Sequence, residues 1–394
     1  MEKEVIINND NEIIQKYSNL FSESKDFLEV SLIHEIEESM NKLEAKCEGE
    51  TTDTVLENRC RILSYANILV DIYKKPISCL IRPRAKLGEA YYDLKYFEQA
   101  IEHISKALEY SNEITINTIE LLPEDYILRL TIILSKCQFE MKSYDISLKI
   151  AKEALKLNKK LFGEDDITNA EIYILLYKVE KKMNNYNDAI EHLKYLYILY
   201  QKIYDKVSEQ CCFVLGEIGN LYKSLKNIPE SIKYYKMCYE VKDNLVKEDG
   251  KYEELVKLAI IIGQLHSENG QYKEGFNFLK TIESSNNFTN MKLKDKISYQ
   301  RLICNIASFL QKDDNDDVYL DELLKLEKII KNEKDYKKIL AKTYLDIGHL
   351  FKRRKNIDKS LNYFEKAGQI FIELKDLKLL SDIKTIVNQI KKEN

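Results

Sequence analysis

Between residues 87 and 367 the apolar and polar positions follow one arrangement six times. An apolar residue and a small one are followed three positions on by a larger residue, and then by small or apolar residues at fixed distances. The clearest copy is Leu87, Gly88, Tyr91, Ala100, Ile104 and Ala107. The second runs Leu134, Ser135, Gln138, Ser147, Ala151, Ala154, and the third Leu176, Tyr177, Glu180, Ala189, Leu193, Leu196. The fourth is Ile218, Gly219, Tyr222, Ser231, Tyr235, Cys238. Then come Ile262, Gly263, His266, Gly275, Leu279, Ile282 and Ile347, Gly348, Phe351, Ser360, Phe364, Ala367. The second-helix small residues, at 100, 147, 189, 231, 275 and 360, lie 47, 42, 42, 44 and 85 residues apart, so the last interval hides a degenerate copy. Self-similarity at such a period is the signature of a stacked repeat array.

The spacing has a geometric meaning. Residues three and four apart share one face of a helix, so Leu87, Gly88 and Tyr91 mark a first helix and Ala100, Ile104 and Ala107 a second. Small residues at 88 and 100 let two antiparallel axes approach, while Tyr91 and Ile104 fill the space around them. Each copy is thus predicted to be a helical hairpin. Its turn is marked by residues 93–96, 142–143, 184–185, 226–229, 269–270 and 355–356 in the successive copies. A lone hairpin cannot bury its apolar face, so the second helix of one copy must pack on the first helix of the next.

Around the array, helices are predicted over 12–20, 26–47 and 54–73, with a flexible joint at 49–53 and polar loops at 284–294 and 313–317. The degenerate copy is assigned helices 296–311 and 318–331. Past 370, Leu377, Leu380, Ile383, Ile386, Val387 and Ile390 make an amphipathic helix suited to cover the last apolar face. The expected organisation is irregular helices over 1–50, a repeat array over 51–374 and a capping helix over 375–394.

Composition agrees with an all-α protein: 394 residues with 44% hydrophobic and 32% charged residues, 11 Gly and only 4 Pro. The start of the chain does not read as a signal peptide and no apolar run is long enough to cross a bilayer, which leads to an expectation of a cytoplasmic protein. The eight cysteines show no C-x-x-C spacing and are read as buried free thiols. Charge is uneven along the chain. Residues 325–394 carry 18 Lys and Arg against 10 Asp and Glu, although the whole chain has a net charge of −4. The run Lys352-Arg353-Arg354-Lys355 is read as a solvated helix end, where cations suit the helix dipole, with a nuclear import signal or an anchor for an acidic polymer as the alternatives.

Catalytic chemistry finds no foothold in the motifs. His34, His103, His192, His266 and His349 lie in different helices without a metal-binding frame, and no phosphate-loop, dinucleotide or nucleophile-elbow motif occurs. Asp313, Asn315 and Asp317 mimic the start of a calcium loop, but Val318 replaces the required Gly and Leu324 stands where a bidentate Glu belongs. The tyrosines at 195, 197, 200 and 204 are read as packing between long helices. No catalytic residue, metal or cofactor is expected.

These residues resemble the tetratricopeptide repeat family, whose unit is a Leu-Gly-x-x-Tyr first helix and an Ala-x-x-x-Phe-x-x-Ala second helix. The resemblance covers residues 80–370 and implies a right-handed superhelical solenoid of antiparallel helix pairs. A period near 42, with the connector at 157–166 and Ile218-Gly219-Asn220-Leu221-Tyr222 in the fourth copy, is similar to the long-helix subtype of kinesin light chains. In the family, first-helix residues one and four places after the small residue line the concave surface. Carried over, these are Glu89 and Tyr92, Lys136 and Phe139, Lys178 and Lys181, Asn220 and Lys223, Gln264 and Ser267, His349 and Lys352. The candidate partner-binding residues are therefore Lys136, Phe139, Lys178, Lys181, Asn220 and Lys223, and the middle of the concave groove is expected to be basic. The family's chaperone-binding version needs a Lys four residues before the groove Asn, where this chain has Gly216.

The resemblance implies a non-enzymatic scaffold or adaptor, cytoskeletal or ciliary, that takes a protein or peptide with an acidic segment. A small-molecule substrate and nucleic acid are not the expected partners. The alternative is a bacterial peptide-sensing repeat regulator of a response regulator or transcription factor, which depends on a catalytic Gln in an N-terminal bundle. Gln15 is the one candidate before residue 75.

Overall fold

A computed structural model describes residues 29–49, 51–113, 122–249, 252–283, 291–310 and 316–392. The helix expected over 12–20, Gln15, Asp313, Asn315 and residues 284–290 of the polar loop lie outside the described residues. All regular structure within them is helical. The chain forms two compact units, Met1–Ile203 and Tyr204–Asn394. In the first, α1 (Glu29–Ala45) and α2 (Asp53–Asp71) precede three hairpins. These are α3 (Ile81–Asp93) with α4 (Phe97–Glu113), α5 (Glu124–Glu140) with α6 (Tyr144–Phe162), and α7 (Ile167–Lys182) with α8 (Tyr186–Ile203). The second holds α9 (Glu209–Ser224) with α10 (Ile228–Asp249), α11 (Tyr252–Glu268) with α12 (Tyr272–Glu283), and the degenerate copy α13 (Leu293–Leu310) with α14 (Asp316–Ile330). It ends on α15 (Lys337–Arg353) with α16 (Ile357–Glu373), followed by α17 (Leu377–Lys392). Within each unit the second helix of a pair packs on the first helix of the next, as the repeat requires.

The two small positions lie twelve residues apart and face each other across the hairpin in every copy but the third, where Tyr177 takes the first of them. In the first, a Cβ added at Gly88 would stand 2.5 Å from Ile104 Cγ1 and 3.1 Å from the Ile104 amide nitrogen. At Gly219 it would meet the Tyr235 ring at 2.9 Å, at Gly263 Leu279 at 2.8 Å, and at Gly348 the Phe364 ring at 3.0 Å. Where the second small residue is Ser, its hydroxyl adds a hydrogen bond to the opposite carbonyl: Ser231 to Gly219 at 2.8 Å and Ser360 to Gly348 at 2.9 Å. The second copy has Ser at both positions, and each hydroxyl donates to the other's carbonyl at 2.8 Å. These buried hydroxyls satisfy backbone oxygens that already serve their own helix and so tie the pair without leaving a polar atom unmatched.

Seven residues after the first small position, every copy places a residue in the left-handed region: Lys95, Lys142, Asn184, Lys226, Gly270 and Lys355, with φ between 57° and 73°. The amide one residue later reaches back five positions, as from Tyr96 to the Tyr91 carbonyl at 2.8 Å and from Asn227 to the Tyr222 carbonyl at 2.9 Å. This is the helix-ending motif that glycine normally serves, and a side chain there costs about 1–2 kcal/mol of backbone strain. Lysine offsets part of that cost by setting a cation at the negative end of the first helix.

The connector after α6 is organised by two buried asparagines. Asn158 donates its amide to Asn169 Oδ1 at 3.0 Å and to Asp166 Oδ1 at 3.1 Å, while Asn169 donates to the Gly163 carbonyl at 2.8 Å. Asp166 in turn caps α7 through the Thr168 amide at 2.8 Å. In the second unit Lys242 is buried between Glu209 at 2.8 Å and Glu254 at 2.6 Å, so one ammonium joins α9, α10 and α11. Burial alone would lower its pKa, but the two carboxylates outweigh it and hold it up.

The terminal helix α17 buries Ile383 and Ile390 against the preceding pair, with Leu380, Ile386 and Val387 partly covered. Leu377, expected on that face, is instead 75% exposed because it opens the helix directly after the turn. Among the described residues, no helix is long and apolar enough to cross a membrane.

Histidines 103 and 192 occupy equivalent places, each against an aromatic ring: His103 stacks on Tyr91 at 5.5 Å and His192 tilts against Tyr173 at 6.2 Å. Burial, helped by the nearby Arg84 guanidinium, lowers His103 to about 4. Burial lowers His192 as well.

Three outcomes are expected. On α9, Gly219→Ala destabilises by about 1–3 kcal/mol because its methyl meets the Tyr235 ring. Gly216→Ala on the same helix, where the new Cβ would find only Cys238 Sγ at 3.8 Å, stabilises by about 1 kcal/mol through helix propensity. Urea melts of both variants check the contrast, and equal effects would refute the close approach. Truncation after Glu373 exposes the apolar face under Ile383 and Ile390, giving self-association in ultracentrifugation or an earlier melt; an unchanged monomer would deny α17 its covering role. For His103, the folded state disfavours the proton, so its stability contribution is complete above about pH 6.5 and is lost as pH falls toward 4, on the order of 3 kcal/mol in all. Denaturation midpoints at several pH values should fall less steeply in His103→Gln than in the wild type.

Candidate functional site

The six groove positions divide between the units. Lys136, Phe139, Lys178 and Lys181 belong to the first, Asn220 and Lys223 to the second. In the first unit α3, α5 and α7 are the first helices of three hairpins, and the turn-proximal ends of α3 and α5 with the first half and middle of α7 surround a cavity of about 700 Å³. Tyr92, Lys136, Phe139 and Lys178 all line it, as the register predicts. Lys181 is exposed but lies outside the lining.

The register did not reveal the cavity's acids or its floor. Ile174 and Leu175 supply apolar surface beside Phe97, Phe139 and Tyr92. Asp93, Glu140 and Glu171 match Lys95, Lys136 and Lys178 in number, so the cavity is amphipathic and charge-balanced instead of uniformly basic. Lys136 forms an ion pair with Glu171, whereas Lys178 is exposed and has no acidic partner among the described residues. A signal for Glu171 was present in the sequence, since residues 171, 174 and 178 share one face of α7 by helical spacing.

Glu89 departs from the expectation. It does not face solvent in the groove but is buried, accepting a hydrogen bond from Tyr126 Oη at 2.8 Å and pairing with Arg129 at 3.0 Å and Lys86 at 3.3 Å. The carboxylate bridges α3 to α5, and burial together with the Glu89 charge pushes the Tyr126 hydroxyl well above its ordinary range.

In the second unit, Asn220 lines a cavity of about 410 Å³ with Phe213, Glu217, Tyr235 and Lys257. The Tyr235 hydroxyl donates to Asn220 Oδ1, and Asn220 Nδ2 donates to Glu217 at 3.2 Å. These two contacts fix the amide's orientation and leave one N–H of Nδ2 for a ligand. Lys223 is outside this cavity and lies 3.9 Å from Glu268. Gln264 is exposed, Ser267 half-buried, and His349 stands edge-on to Phe364 at 5.1 Å. In the basic run, Arg353 and Arg354 pair with Asp316 at 3.5 Å and Asp317 at 2.7 Å, and Lys355 occupies the left-handed turn. The run is thus a helix end partly neutralised by the start of α14.

The family model described as tetratricopeptide repeat matches residues 81–114 and 341–370, one hairpin in each unit. No curated protein matches the chain. Solved structures with a similar course include the C-terminal part of a TPR repeat-containing protein from Cytophaga hutchinsonii, at 14% identity, TM-score 0.46, covering 76% of this chain and 98% of that one. Aspartyl phosphate phosphatase F from Bacillus subtilis gives 17% identity, TM-score 0.40, and 93% and 92% coverage. BtubC (BKLC) from P. vanneervenii gives 16% identity, TM-score 0.41, and 63% and 89% coverage. Likeness at this level carries nothing about function. Two of the in-register hairpins, one in each unit, are thus similar to the tetratricopeptide repeat.

Proposed function

We propose that the protein is a non-enzymatic interaction scaffold that holds a partner segment bearing acidic and apolar side chains. The observation that carries this reading is the cavity in the first unit, where Tyr92, Phe139 and Ile174 offer apolar surface beside the cations of Lys136 and Lys178. An apolar anchor fills the cavity while a carboxylate reaches Lys178. A second carboxylate displaces Glu171 from Lys136, so the site's own acid sets a threshold that a weakly acidic segment does not pass. Lys181 adds to the field from the same helix. In the second unit Asn220 supplies a held amide for a hydrogen bond to a partner backbone, and Lys223 a further cation. The long-helix repeat favours a kinesin light chain-like, cytoskeletal or ciliary adaptor in a cytoplasmic setting.

An affinity pulldown with the full-length chain tests the reading: tubulin, motor or axonemal proteins support the adaptor role, whereas a response regulator points to the peptide-sensing alternative. With the recovered partner's binding segment as a synthetic peptide, Lys178→Glu with Lys181→Glu should weaken binding at least about tenfold, or roughly 1.4 kcal/mol, without loss of helicity. A single exposed pair is worth at most about 1 kcal/mol, so the double variant is needed. Glu171→Gln should tighten binding by freeing Lys136, and wild-type affinity should fall as salt shortens the screening length. Titration calorimetry showing the double variant equal to wild type would remove the first-unit cavity from the interface.

A further inference from the structure

The hairpin turn that sets the two small residues twelve apart also fixes what lies two turns beyond them. In an antiparallel pair, seven residues back on the first helix and seven forward on the second are two turns in the same direction, so these positions face each other again. Elsewhere the positions hold apolar pairs, as in Ile81 with Ala107, Val256 with Ile282 and Ala341 with Ala367, all buried. In the α9–α10 hairpin both positions are cysteine. Cys212 and Cys238 bring their sulfurs to 3.1 Å, and Cys238 Sγ also lies 3.2 Å from the Cys212 carbonyl oxygen. Both are free thiols, and both line the 410 Å³ cavity that holds Asn220.

Other cysteines meet non-sulfur groups: Cys211 lies 3.7 Å from the Asp205 carbonyl, Cys47 3.9 Å from the Val55 carbonyl and Cys60 3.9 Å from the Tyr91 hydroxyl. The cavity is what distinguishes Cys212 and Cys238, because it gives a small reagent a route to sulfurs that would otherwise be sealed in a helix interface. Closing 3.1 Å to the roughly 2.05 Å of a disulfide asks for a movement of about 1 Å between two side chains already in contact.

We propose that Cys212 and Cys238 are a thiol–disulfide redox pair, oxidised by small-molecule disulfides that enter the second-unit cavity, and that the product is a covalent staple between α9 and α10. In the first step the Cys212 thiolate attacks one sulfur of the reagent, its S–S bond breaks, and one reagent thiol departs with the proton Cys212 gave up. In the second, the Cys238 sulfur displaces the remaining reagent thiol from Cys212. Two protein thiols are oxidised and one reagent disulfide is reduced to two thiols, so atoms and electrons balance. The polarity of attack has support in the surroundings. The hydrogen bond from Cys238 holds Cys212 below the usual thiol range against its burial, with the Lys242 ammonium adding to the effect, while the same contact and burial push Cys238 up. The staple would immobilise the wall that carries Tyr235 and, through it, Asn220.

The full-length chain is incubated with oxidised glutathione or with dithiothreitol, then denatured in N-ethylmaleimide, digested and mapped by mass spectrometry. The expected result under oxidation is a Cys212–Cys238 cross-linked peptide with the other six cysteines alkylated, reversal by dithiothreitol, and a higher Tm for the oxidised chain. Cys238→Ala, which installs the residue found at Ala107, Ala154 and Ala367, should arrest the reaction as a stable glutathione adduct on Cys212. Cys212→Ala, matching Ala170 and Ala341, should leave Cys238 unmodified. Recovery of Cys212 and Cys238 as alkylated thiols from oxidised wild-type protein overturns the proposal, as does a disulfide that joins either of them to Cys211.

Discussion

Everything in this molecule hangs on how closely two antiparallel helices can approach. At Gly88, Gly219, Gly263 and Gly348 the missing Cβ is the space into which Ile104, Tyr235, Leu279 and Phe364 fit. Each of those large residues is buried, contributing roughly 1.5–3 kcal/mol by leaving water, and the gain is available only if the opposite backbone carries no side chain. The hydroxyls of Ser231 and Ser360 then fasten the two backbones at the same level. The left-handed turn seven residues on returns the chain at the one length that places the second small residue opposite the first. The third hairpin shows which part is indispensable. Tyr177 replaces the small residue there, yet the turn at Asn184 and the reach of the Asn185 amide to the Glu180 carbonyl at 2.9 Å are kept.

Much of this was legible because it is local. Helical period, small residues at fixed offsets and polar turn residues each report on a few neighbouring positions, so the hairpins and even the degenerate copy could be placed within two or three residues. The polar core was less legible. Asn158 and Asn169 sit in a stretch that reads as a polar connector, yet both are fully buried, since their partners lie across a turn that the sequence does not draw. Glu180, buried where Tyr is usual, accepts from Asn185 at 2.8 Å, a pairing visible only once the turn is folded.

The candidate groove was half legible for the same reason. Which side chains point inward follows from the register, and Tyr92, Lys136, Phe139 and Lys178 do meet. What those cations face depends on the neighbouring helix. A column of lysines read along the sequence suggested a basic surface, but Glu171 comes to Lys136 from thirty-five residues away. Charge in a stacked repeat is a property of adjacent faces, and a reading that follows one face at a time overstates it.

The junction at Lys375 carries a different lesson. Its φ of 55° and the reach of the Asp376 amide to the Phe371 carbonyl at 3.0 Å repeat the turn found inside the hairpins, although this turn lies after a second helix. Seven residues before it stands Gly368 and twelve after that Leu380, so the spacing of the hairpins is written once more, overlapping the last hairpin by a whole helix. The helix axes need not draw close here, since a Cβ on Gly368 would meet Leu380 only at 3.9 Å. Turn and close approach are therefore separable instructions. The smallest interchangeable module of this architecture is one helix with its turn, and a single helix can act as the closing member of one pair and the opening member of the next.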